Sequence, residues 1–204
     1  MSHAPEHDTD PILLTLTLGC VVGLFCAFRL TVQPDPLVAG THYLPAALEI
    51  LAGMVTLIAS MRAIWHATRT RAVTLVSGLL LAAGLILMTQ SRSLVPDIYL
   101  VCLLSLSAWQ LSAAIRRPEQ GRRRLAAVGV YFGLAMGVNW VAISLVFLAV
   151  AAFFVARLSA GRRRLMTSKR GIPVPGISLI EAIVWLGVVP LLIYAAATLA
   201  GISG

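Results

Sequence analysis

The chain has 204 residues, of which 59% are hydrophobic and only 12% charged, with a mean hydropathy of +0.90. These values exclude an ordinary soluble domain, in which about a quarter of the residues carry charge, and leave an integral membrane protein. The net charge of +8 is built from 15 Arg and one Lys. Cys20, Cys26 and Cys102 sit inside apolar runs without CxxC spacing, so neither a disulfide framework nor a thiolate metal site is expected.

In chain order, residues 1–10, MSHAPEHDTD, form a short acidic tail with three acids and no Lys or Arg. A cleaved signal peptide needs a basic start, so the first apolar run is expected to remain in the mature chain. Apolar runs follow at about 11–30, 44–66, 72–90, 98–115, 125–156 and 177–200. All but the fifth lie near the ~20 residues that a helix needs to cross roughly 30 Å of hydrocarbon. The polar links between them are too short for a soluble domain. The expectation is one transmembrane helical domain over 11–200 and a C-terminal tail at 201–204.

The fifth run has 32 uncharged residues between Arg124 and Arg157. As one helix it would be about 48 Å long, and it would have to tilt beyond the usual ~0–40° to fit. Basic residues decide the matter, because short cytoplasmic loops hold the Lys/Arg excess. If the run crosses twice, 14 of the 16 basic residues share one side, leaving Arg29 and Arg92 opposite; if it crosses once, the split is 8 to 8. The fold class is therefore an all-α, polytopic membrane helix bundle of seven transmembrane helices with short loops, six being the alternative. The orientation that follows is N-terminus inside and C-terminus outside, in the cytoplasmic (inner) membrane. The hairpin tip falls at GVNW, where Gly137 and Asn139 favour a turn and Trp140 suits the headgroup level.

Small residues recur at every fourth position in four helices: Thr15, Gly19, Gly23 and Ala27; Thr74, Gly78 and Ala82; Ala108 and Ser112; Gly129, Gly133 and Gly137. Such seams let helix backbones approach closely in lipid. Packing within the chain's own bundle is favoured over self-association or docking of another membrane protein.

The second helix carries Glu49, Gly53, Thr56, Ser60 and Ala63 on one face, which is expected to point inward. An ionisable residue within a span is a functional candidate by default. Glu49, Arg29, Thr56 and Ser60 thus form a candidate intramembrane polar site, with an ion pair between Glu49 and Arg29 at matched depth as its structural reading. Arg62 and His66 are expected to face headgroups or water, and Glu181 to be solvated or paired with the basic loop before it. Pro190 removes the backbone bond to Leu186 and is expected to kink the last helix next to Gly187, a candidate hinge.

Arg162, Arg163, Arg164, Lys169 and Arg170 form a candidate cytoplasmic docking or lipid-contact segment. Positive loops sit favourably against anionic headgroups, and without interleaved aromatics for base stacking nucleic acid is disfavoured as a partner. The four histidines are scattered, no HExxH occurs, and no cofactor is expected. By elimination the residues suggest a non-catalytic subunit of a transport, secretion or cell-envelope assembly system. A small stand-alone transporter or channel is the alternative, with an intramembrane enzyme behind it.

Overall fold

The computed structural model describes residues 10–32, 43–90, 95–159 and 174–200. They are all-helical, with no strand among the described residues. Helices α1 (Ile12–Val32), α2 (Tyr43–Thr68) and α3 (Arg71–Gln90) belong to one compact unit. Helices α4 (Val95–Arg116), α5 (Gly121–Val138), α6 (Ala142–Ser159) and α7 (Leu179–Leu199) belong to a second. The segments Ala47–Thr68 of α2, Ile98–Arg116 of α4 and α7 are each long and apolar enough to cross a membrane; Ile12–Phe25, Arg71–Gly84 and Ala142–Leu158 are shorter apolar stretches.

In the first unit the helices alternate in direction. Gly19 of α1 lies against Ile58 of α2, and Gly23 lies against Met54, so the two helices run antiparallel. Gly78 of α3 receives Met61 from α2. The α2–α3 turn is only two residues long. Arg69 closes it with φ 58°, its N–H donating to the Trp65 carbonyl at 3.0 Å. A left-handed conformation costs a side-chain-bearing residue about 1–2 kcal/mol. Part of that cost is offset by the Arg69 guanidinium, 5.9 Å from the centre of the Trp65 ring.

In the second unit a three-residue 3₁₀ turn, Pro118–Gln120, joins α4 to α5. Proline cannot continue a helix from within but suits the first position of a new one, which is why α4 stops before it. The run 125–156, whose number of crossings the charge pattern had to settle, contains two helices. The break falls at Asn139, which has an extended backbone and a side-chain oxygen that accepts the Val141 N–H at 3.0 Å. At the other end of α6, Arg157 bonds the Ile177 carbonyl, and Ile177 in turn packs against Gly121 at the start of α5. The end of α6 therefore returns to the start of α5, as a hairpin requires. Its core is Leu125, Val128, Phe132 and Met136 of α5 with Phe153 of α6 and Leu186 of α7.

Helix α7 opens with a reciprocal cap. Ser178 Oγ accepts the Glu181 N–H, and the Glu181 carboxylate accepts the Ser178 N–H, both at 3.2 Å. Residues Val184–Val188 then widen into a π-helical turn, in which the Val189 N–H donates to the Val184 carbonyl. Here the structure refines the expectation of a kink at Pro190: the helix meets the missing donor with a wide turn placed just before the proline. The carbonyl of Trp185 loses its usual partner, since Val189 is bonded to Val184 and the next residue, Pro190, has no N–H. That carbonyl lies against Gly129 of α5, leaving no room for a Cβ there.

Candidate functional site

The polar stripe of α2 does not form the interior of its unit. Of Glu49, Gly53, Thr56, Ser60 and Ala63 only Thr56 is buried, and nothing lies where a Cβ on Gly53 would be. The buried face is instead Ala52, Thr56, Leu57, Ala59, Met61 and Trp65. The physical reason is that helices in lipid associate by shape. Met54, Ile58 and Met61 fill glycine notches on α1 and α3, and that fixes the rotation of α2.

The side chains expected to act together are spread along the helix. Thr56 donates its hydroxyl to the Ala52 carbonyl at 2.7 Å, within its own helix, and so offers a ligand no donor. Glu49 and Ser60 are separated by about 16 Å of helical rise. The side chain of Arg29 lies outside the described residues, as do residues 162–164, 169 and 170. Among the described residues no group of three or more His, Cys, Asp or Glu is placed to hold a metal ion.

Glu49 nevertheless differs from the other acids whose side chains are described. Asp10 forms an ion pair with Arg62, its second oxygen accepting from Nη2 at 3.2 Å. Glu181 caps its own helix and accepts from Arg122 at 2.8 Å. Glu119 is exposed on the α4–α5 turn. Glu49 is half-buried on an apolar helix, and no described residue pairs with it.

At the end of α2 the expectations for Arg62 and His66 need correction. Arg62 is held by Asp10, and His66 is 4% exposed beside the fully buried Trp65. Trp65 and His66 fall at the end of a span, where the sequence suggests headgroup contact; both are buried instead, with Arg69 of the α2–α3 turn over the Trp65 ring. Arg157 was likewise legible only as the flank of a span. It is 3% exposed, sits 5.8 Å from the Phe153 ring and bonds a backbone carbonyl of the segment leading into α7. The small residues of α5 run along α7: Gly129 meets the Trp185 carbonyl, Gly133 meets Ile193 and Pro190, and Gly137 meets Ala197. Gly187 and Pro190 lie at the π-helical turn and directly after it.

The helices and their apolar surfaces define a multi-pass membrane protein. Its family is more specific: the chain belongs to the family described as Dolichyl-phosphate-mannose-protein mannosyltransferase, which matches residues 41–194, from the start of α2 into α7. No curated protein and no solved structure matches the chain.

This membership overturns the expectation of a non-catalytic transport or assembly subunit, since the family is one of membrane glycosyltransferases. The elimination failed for a chemical reason. It required a spaced catalytic motif, whereas transfer of a sugar already activated on a phosphate needs from the protein chiefly one base and correct positioning.

Proposed function

We propose that the chain is a membrane glycosyltransferase, or the membrane-embedded part of one, that transfers a mannosyl residue from a polyprenyl phosphate to a protein hydroxyl. The observation that carries this reading is the family match over 41–194. The donor class agrees with the architecture, because a substrate with a long hydrocarbon tail is presented from the bilayer and suits an enzyme whose helices lie there. In the reaction the acceptor oxygen attacks C1 of the sugar. The bond from C1 to the phosphate oxygen breaks, the phosphate leaves with the electron pair, and the hydroxyl proton passes to a base.

Among the acids whose side chains are described, Glu49 is our candidate for that base, since Asp10 and Glu181 are committed to ion pairs and Glu119 lies in a polar turn. We further propose the inner membrane as the location, with the N-terminus inside and the C-terminus outside; the 14 to 2 division of basic residues supports this. Glu49 then lies toward the outer face, and the α4–α5 turn faces the cytoplasm.

The test is transfer of labelled mannose from polyprenyl phosphate to a Ser/Thr-containing peptide, using the full chain purified in mild detergent. Transfer is expected, with a loss of at least ~100-fold for Glu49→Gln, the size of a general-base contribution. No transfer by a folded wild-type chain refutes the reading. Full activity in Glu49→Gln refutes the base assignment alone.

A further inference from the structure

We propose that the α4–α5 turn, through Arg117 and Arg123, binds the phosphates of anionic phospholipid headgroups in the leaflet it faces. The sequence across this turn is RRPEQGRRR, five arginines to one acid. Three of the arginines, Arg122, Arg123 and Arg124, fall in the first turn of α5, where no acidic residue is present and the N-cap residue Gln120 makes no side-chain cap. The N-terminal end of a helix carries partial positive charge and favours anions, so cations there are unfavourable. By contrast, the start of α7 has an acid in its first turn and a complete capping box.

The neighbourhood neutralises only part of this charge. Arg122, with 58% of its side chain exposed, reaches Glu181 at 2.8 Å. Arg124 donates to the neutral amides of Gln110 and Gln120, each at 2.9 Å, and its Nε is buried without a partner. Burial, and then the charge of Arg117, press the Arg124 guanidinium below its ordinary value, so the arginines lie close enough to repel. Arg117 and Arg123 are exposed, and no acid among the described residues pairs with either. Within this like-charged cluster, Arg117 and Arg123 thus lack a counter-anion among the described residues.

Its placement identifies the source. The turn directly joins two apolar helices, so its guanidinium groups lie where hydrocarbon gives way to headgroups, and guanidinium matches phosphate geometry with paired N–H groups. No aromatic side chain stands in the turn to stack a base, which argues against nucleic acid. This inference stands apart from the transfer reaction and from the role given to Glu49.

The experiment titrates the full chain in mild detergent with phosphatidylglycerol and follows thermal unfolding. Phosphatidylglycerol is expected to raise the midpoint, and phosphatidylcholine or inorganic phosphate is not. In Arg117→Gln/Arg123→Gln the half-saturating phosphatidylglycerol should rise roughly thirtyfold, equivalent to about 1 kcal/mol for each arginine. Arg117→Lys/Arg123→Lys, which keeps the charge without the paired N–H groups, should fall between wild type and the glutamine variant. Equal shifts with phosphatidylcholine, an unchanged response in the glutamine variant, or a shift with phosphate alone overturns the proposal, as does an oligonucleotide acting at lower concentration than the lipid. Should the glutamine variant fail to fold, the wild-type contrast between the two lipids and the lysine variant still decide.

Discussion

The two units use the same small-residue seams but fill them with different material. In the first unit the notches at Gly23 and Gly78 receive methionines, Met54 and Met61, and the notch at Gly19 receives the end of Ile58. In the second unit Gly129 faces a backbone carbonyl, while Gly133 faces the branched Cβ of Ile193 and the carbonyl of Pro190. A methionine side chain has three rotatable bonds and adapts to a changed cavity; a helix backbone does not. The spacing of glycines thus marks where helices touch, whereas the partner determines how much each glycine matters.

Replacement of Gly129 by alanine should break that comparison most severely. The new methyl group would occupy the space of the Trp185 carbonyl, so either α5 and α7 separate or the π-helical turn reorganises. A loss of about 3 kcal/mol, at the upper end of ordinary overpacking, is expected. The thermal midpoint of the purified chain and its yield in membranes check this; an alanine variant as stable as wild type would remove the rigid-notch argument.

Gly23→Ala should cost less, about 1 kcal/mol, because Met54 can turn aside. A double-mutant cycle with Met54→Ala sharpens this point. The cost of Gly23→Ala should largely disappear once Met54 is shortened, since the two side chains contend for one space. Additive effects would mean that the notch is not what limits residue 23.

The smallest effect is expected from Arg122→Gln. Its bond to Glu181 joins two partly exposed groups, and such pairs contribute about 0.2–1 kcal/mol. Glu181 also keeps its capping bond to Ser178. A midpoint change comparable to that of Gly129→Ala would show that the pair organises the start of α7 and does more than decorate it.

The hairpin was legible because its evidence is local and redundant: charge at both ends, a run too long for one span, and Asn139 at the middle. The seams of α1, α3 and α5 were legible as patterns, but their partners were not. Nothing in the spacing of Gly129 names Trp185, whose carbonyl is displaced by a proline five residues later. The buried face of α2 is not legible in the sequence, because polarity is a poor guide to burial within a membrane span. In lipid the apolar side chains pack as readily as in a core, and shape decides. The burial of Arg157, Trp65 and His66 is not legible in the sequence for a related reason, since ends of spans read as headgroup contacts unless the fold covers them.

The sequence by itself determined the solvent in which this protein folds, the positions of its helices and the division of its basic residues, because each depends on composition summed over a stretch of chain. Tertiary structure alone decided which face of α2 is buried and which carbonyl fills the α5 seam. It also decided which carboxylates are committed to ion pairs, leaving Glu49 on an apolar helix without a partner among the described residues. These outcomes depend on which side chains distant in sequence meet, and no local pattern carries that information.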